Sequence, residues 1–188
     1  MIEHATRISS PRLDLVPMSP DFLDALLSGR RDDAAGHLGA RIPDWWPDEH
    51  DERFLRLRLK EMRERPQTEQ WLVRALVDRD AGEMIGHAGF HGPPGRNGIG
   101  KADALEIGYT VFPAFRRRGF ATEAVSALID WARSEHGVRD FIASVASGNE
   151  PSLGVVRKLG FVRTGKQWDE EHGHELVFQL SGEGKGRR

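Results

Sequence analysis

Cysteine is absent from the 188 residues of this chain. That excludes a disulfide framework, a cysteine-ligated zinc or iron–sulfur site and a cysteine nucleophile, and it fits a reducing, cytoplasmic setting. No apolar run approaches the ~20 residues that a membrane span needs, so no membrane partner is expected. Residues 1–11 carry Glu3 and Arg7 and lack an apolar core, so no secretory signal is expected either. Neither sign of charge dominates: 27 Lys and Arg stand against 29 Asp and Glu, for a net charge of -2. Bulk charge therefore argues against a nucleic-acid partner, and any anion site has to be local. Internal repeats are missing, as is any linker long enough to divide two domains. The expectation is one domain over residues 1–180 with a loose polar tail over 181–188.

Hydrophobic residues make up 38% and charged residues 30%, an ordinary globular composition. A chain of this length can bury roughly 70% of its unfolded surface. Ser19-Pro20-Asp21 reads as N-cap and first turn of a helix carrying Phe22, Leu23, Leu26 and Leu27. A short helix is expected over 31–38, and a longer one starts at Asp48 and stops before Pro66. Strands are predicted over 12–16, 71–77, 84–90, 105–112 and 141–145, and a closing hairpin over 161–168 and 175–180. The strongest helical pattern is Ala121, Ala124, Val125, Leu128, Ile129 and Ala132, with Gly137 as its stop. A shorter helix is expected over 151–159.

The stretch from Glu106 to Ala124 carries the most chemistry. A strand ends at Phe112, a basic loop with Arg116, Arg117, Arg118 and Gly119 follows, and the strong helix begins at once. Unpaired N–H groups at a helix start bind anions, and the helix dipole adds to that. Gly119 lets the backbone approach a ligand. The loop suits a pyrophosphate; a solvated basic turn is the plainer alternative. The dinucleotide signature G-x-G-x-x-G and the phosphate-loop signature G-x-x-x-x-G-K-[ST] are both missing. A second stretch, Asn149-x-x-Ser152 followed by Lys158-Leu159-Gly160-Phe161, lies downstream.

Together the two stretches resemble the GNAT family of acyl-CoA-dependent N-acetyltransferases. Arg116-x-x-Gly119-x-Ala121 is similar to that family's pyrophosphate loop. Asn149-x-x-Ser152 with Lys158 to Phe161 resembles the branch that includes the ribosomal-protein N-terminal acetyltransferases. The resemblance implies an α/β fold: a mixed, mostly antiparallel sheet splayed at its centre, with helices on both faces. It also implies acetyl-CoA as cosubstrate, no metal, and an amine acceptor, either a small molecule or a protein N-terminus; a homodimer is left open. The cofactor residues it implies are Val111, Phe112, Arg116, Arg117, Arg118, Gly119, Phe120, Ala121, Thr122 and Asn149. The N–H near Val111 would face the thioester oxygen, and Asn149 would hold the pantetheine arm.

Transfer to an amine benefits from a base, because an alkylammonium has a pKa near 10. Glu106 is the candidate base; the plainer reading is a strand-end glutamate. Ser152 is the candidate thiolate partner, against a capping role. Val156 stands where many family members carry a tyrosine, and Tyr109, the one tyrosine, falls on the strand face opposite Glu106 and is read as core. That departure keeps a second function open, a non-catalytic acyl-CoA-binding module on the same fold. Trp46 and His87 are the candidate acceptor contacts, although Trp45 and Trp46 can equally be packing anchors. His87 and His91 share a strand face without a third metal ligand nearby. The Asp169 to His174 turn is either a solvated tip or an acidic rim for a cationic amine.

Overall fold

The structure, a computed structural model, describes residues 5–170 and 173–182. Its elements run β1 (Ile8–Ser9), β2 (Leu13–Pro17), α1 (Pro20–Leu27), α2 (Arg31–Leu38), α3 (Glu49–Glu64), β3 (Arg74–Asp78), β4 (Glu83–Phe90), β5 (Ala104–Val111), α4 (Phe120–His136), β6 (Asp140–Ala146), α5 (Glu150–Lys158), β7 (Val162–Asp169) and β8 (Gly173–Ser181). Caps set the helix starts. Ser19 Oγ accepts from the Phe22 N–H. Asp48 and Asp51 form a reciprocal capping box on α3. Asn149 Oδ1 accepts from the Ser152 N–H at the start of α5.

The strands form one sheet in the order β1-β2-β3-β4-β5-β6-β8-β7. Every pairing is antiparallel except β5 with β6. That parallel pair joins only Ala104, Leu105 and Glu106 to Asp140, Phe141 and Ile142. Beyond Glu106 the two strands diverge, and the sheet opens. Helices cover both faces. α4 lays Ala124, Val125, Leu128, Ile129 and Ala132, each 3% exposed or less, on one face, together with Leu153 and Val156 of α5. On the other face Phe22, Leu38, Leu55 and Met62, from α1, α2 and α3, pack against Ala75, Val77 and Met84. The expected mixed sheet with helices on both faces is thus what the chain adopts.

Some elements differ from expectation. β1 carries no strand-length pattern and forms as the partner of β2. The strand expected from Trp71 starts at Arg74, because Pro66–Trp71 form a 3-10 turn and Trp71 packs edge-on against Trp131. Residues 183–188, and Glu171 and His172 of the expected hairpin tip, lie outside the described residues. No helix among the described residues is long and apolar enough to cross a membrane.

Candidate active site

The basic loop has an unusual backbone. Arg117 has φ 63° and Gly119 φ 84°, and Arg117 and Asp103 are the only non-glycine residues with positive φ among those described. Left-handed residues set in a turn aim successive N–H groups into one concavity, which suits an anion. Gly119 caps α4 without any side-chain bond, so the first-turn N–H groups of Phe120, Ala121 and Thr122 have no acceptor within the helix. Arg116, Arg117 and Arg118 are exposed around them. Arg116 Nε binds the Val111 carbonyl at 2.9 Å, which folds the loop back on the end of β5. A clamp from the N-terminal segment holds the other side. Arg12 binds the Arg118 carbonyl and the Glu123 carboxylate, stacks over Phe120, and shares Glu123 with Ser10. Nothing in the sequence singles out Arg12 and Ser10, more than 100 residues away.

The open gap begins next to this loop. The His91 N–H binds the Glu106 carbonyl and the Phe112 N–H binds the Ile85 carbonyl. Main-chain groups of even residues in β5 therefore serve β4, and strand alternation turns those of Ile107, Tyr109 and Val111 toward the gap. Phe112 is a correction to the expected cofactor set. Its N–H is used by β4, and its ring, 3% exposed, packs with Trp45 and Trp46. Asn149, Ser152 and Tyr109 line a cleft of about 480 Å³ across the gap. The Tyr109 hydroxyl donates to the Ser152 carbonyl at 3.4 Å. Burial pushes the Tyr109 hydroxyl pKa up, against a smaller opposing effect of the Ser152 contact. Val156 is buried at 1% exposure.

Glu106 sits where the pairing stops, on the face opposite Tyr109. It is buried, and both carboxylate oxygens are engaged: Oε2 accepts from the Gly98 N–H and Oε1 from the Ser144 hydroxyl, each at 2.6 Å. His91 Nδ1 lies 3.5 Å from Oε2. Burial alone would raise the Glu106 pKa; His91, Ser144 and the Gly98 N–H overcome it and hold the pKa down to about 2. The polar chain continues: Gln167 Nε2 donates to both Ser144 Oγ and Glu175 Oε2. Asp169 and Glu175 line the same cleft. Ser144 had a sequence signal, as the lone polar residue inside the apolar run of β6. Gln167 and Glu175 had none, because their inward side is fixed by hairpin register.

The adjoining cleft, of about 520 Å³, lies between β4, β5 and α3. His87 lines it, stacked on Phe54 with Nε2 3.7 Å from Asp51. Trp46 does not. It is 1% exposed in the core beneath, its indole Nε1 buried without a partner. Trp45, 57% exposed, forms the wall instead, edge-on to Phe112. The reason is Arg31, which binds the Pro43 and Trp46 carbonyls and pins the loop with Trp46 inward. His91, Gly108 and Tyr109 border both clefts.

A family model described as the acetyltransferase (GNAT) domain matches residues 12–162. The chain belongs to the GNAT acetyltransferase family. Among curated relatives, this GNAT chain is 33% identical over 104 residues to the uncharacterised N-acetyltransferase YjdG of Bacillus subtilis, covering 55% of this chain and 57% of that one. The GNAT chain thus spans about half the length of the curated relatives it matches. A solved GnaT-family acetyltransferase from Bordetella pertussis is 27% identical with a TM-score of 0.66, covering 94% of this chain and 99% of that one. The ribosomal L7/L12 α-N-protein acetyltransferase RimL, solved with coenzyme A, has a TM-score of 0.64 at 18% identity, covering 94% and 98%. At that identity the likeness is one of fold, so the ribosomal-protein branch of the GNAT family is not distinguished from others.

Proposed function

We propose that this protein transfers the acetyl group of acetyl-CoA to a primary amine by direct attack within a ternary complex. One observation carries the reading: from the buried Glu106 carboxylate, where β5 leaves β6, an open strand edge runs to a helix start with unpaired N–H groups. The fit to acetyl-CoA is good. The N–H groups of Phe120, Ala121 and Thr122, with Arg116, Arg117 and Arg118, would take the pyrophosphate. Ile107, Tyr109 and Val111 offer main-chain groups to the pantetheine amides, and Asn149 borders its path. The arm would run from the loop past Val111 toward Gly108, where a main-chain N–H on the open edge is the candidate donor to the thioester oxygen; such donors contribute ~3 kcal/mol to a transition state.

The amine approaches from the face of Glu106. Its lone pair attacks the thioester carbon, the C–S bond breaks, and the electron pair leaves on the CoA sulfur. Ser152 is the candidate group beside that sulfur. Glu106 anchors the path of the amine proton. Glu106, Asp169 and Glu175 favour a cationic acceptor, whether a small amine or a protein N-terminus such as the one RimL's name describes. With no cysteine, no thioester-linked acyl-enzyme forms. We further propose that residues 1–180 act as one acetyltransferase domain in the cytoplasm.

The test has two parts. Calorimetry with acetyl-CoA on the full chain should give binding, and a broad amine panel read by product mass should give an acetylated product. Binding without any product would favour an acyl-CoA-binding module; absence of binding would overturn the reading.

A further inference from the structure

We propose that His91, rather than Glu106 itself, takes the proton from the acceptor amine, and that Glu106 is the positioning residue that orients its ring. The inference rests on the acetyl-transfer reading above and adds a residue to it.

Accessibility separates the two groups. The Glu106 side chain is 3% exposed, and its two oxygens already accept from Gly98 and Ser144. A carboxylate so enclosed does not reach an incoming amine. The His91 side chain is 49% exposed and stands between Glu106 and the clefts. Its backbone is fixed on both sides, the N–H on the Glu106 carbonyl and the carbonyl on Arg58 Nη1. The main chain that carries the imidazole therefore has a defined place.

The ring is also oriented. Nδ1 faces Glu106 at 3.5 Å. A carboxylate beside one imidazole nitrogen holds the proton there and leaves the lone pair on the other. That other nitrogen, Nε2, lies over Gly108: a Cβ built on Gly108 would come within 3.1 Å of it. Gly108 is two residues past the last β5–β6 pair and on the same face as Glu106. Nε2 thus presents a lone pair at the mouth of the gap, where the thioester carbon must be attacked. His87 lacks this placement. It is 12% exposed, beneath Phe54 and directed at Asp51.

In the reaction, the nitrogen becomes acidic as it bonds to the thioester carbon, and its proton passes to Nε2. The acetamide forms, CoA leaves as thiolate, and the imidazolium stands against the Glu106 carboxylate until it releases its proton to water. Other ionisable groups surround the ring. Arg58 and Glu61 approach from α3, Arg96 from the β4–β5 connection, where it pairs with Glu61, and Tyr109 from β5. All of these stay in place in the variants below.

The experiment uses the full chain and starts without an acceptor. Nitrogen-15 NMR of the neutral imidazole of His91 should show the Nδ1–H tautomer in wild type, and a shift toward Nε2–H in Glu106→Gln. An Nε2–H tautomer in wild type overturns the proposal. Kinetics follow with tyramine as the primary-amine probe. His91→Gln should lower kcat/KM for tyramine by about 10²-fold or more, within the range of general-base contributions. Its rate should then follow the free-amine fraction alone. Imidazole added to His91→Ala should restore activity at least tenfold, which a packing role does not predict. Acetyl-CoA affinity should stay within about twofold. If His91→Gln keeps activity within about threefold of wild type, or if imidazole restores nothing, His91 is not the base. Loss of acetyl-CoA binding by wild type would instead sink the transfer reading, a separate result.

Discussion

Glu106→Gln should cost the protein stability at neutral pH and cost it progressively less in acid. The carboxyl pKa moves from 4.5 to about 2 on folding. At about 1.36 kcal/mol per pKa unit, that is about 3 kcal/mol of stability held by the ionised form. The group is depressed, so this contribution is complete above the unfolded value near 4.5 and is lost as pH falls through about 2. Glutamine cannot restore it. Gly98 N–H and Ser144 O–H both donate to Glu106, whereas an amide has one acceptor oxygen, so one donor is left facing an NH₂. A buried donor without a partner costs about 1–3 kcal/mol, the same order as the titration argument. For a chain of this size about 3 kcal/mol corresponds to roughly 6–12 °C in Tm. The assay is urea unfolding of both proteins from pH 8 to pH 3, with m-values compared. The gap should be about 2–3 kcal/mol from pH 8 to 5 and narrow below that. A gap below about 0.5 kcal/mol at pH 7, or one that does not shrink by pH 3, would refute the buried-carboxylate account.

Gly119→Val should weaken acetyl-CoA binding at least tenfold, about 1.4 kcal/mol, by calorimetry, because it sets a β-branched residue at φ 84° and crowds the helix start; unchanged affinity in a folded variant would remove the loop from the site. Initial rates with both substrates varied should give intersecting lines; parallel lines, or a stable acetylated enzyme by mass, would contradict direct transfer. The adjacent tryptophans should separate cleanly. Trp46→Ala should cost about 3–5 kcal/mol of stability, while Trp45→Ala should leave stability within about 0.5 kcal/mol and raise the KM for the amine; equal stability losses would put both in the core.

Legibility in the sequence followed the range over which the physics acts. Helix α4 was readable because its apolar stripe repeats along the chain and both ends carry glycines with positive φ. The Ser19 and Asp48 caps act within three residues and were equally plain, whereas Asn149, read from the sequence only as a pantetheine contact, also caps α5. Trp45 and Trp46 were not separable: a loop has no period, and which ring turned inward was decided by Arg31 reaching two carbonyls from α2. The Arg12–Glu123 clamp and the Ser144–Gln167–Glu175 chain depend on pairings of residues distant in sequence. No local pattern encodes those.

Strand β5 joins the two kinds of information. Parity alone sends Glu106 and Tyr109 to opposite faces, which is legible from their spacing of three. The gap is not legible, since β5 and β6 have eight and seven residues and pair over only three. Once the pairing stops, the same alternation takes on a different role in each direction. Of the even residues, Glu106 and Gly108 border the first cleft, and Gly108 and Thr110 border the second, beside α3, where an amine can enter. The odd residues, Ile107, Tyr109 and Val111, keep their main-chain groups toward the missing neighbour. In the proposed reaction this strand would divide amine from thioester, with Gly108 at the crossing, where an added Cβ would crowd His91 Nε2 at 3.1 Å. Gly108→Ala should therefore reduce transfer while sparing acetyl-CoA affinity, because its methyl group points to the amine side. A parallel loss of both, measured by kinetics and calorimetry, would mean that the strand does not divide the site in this way.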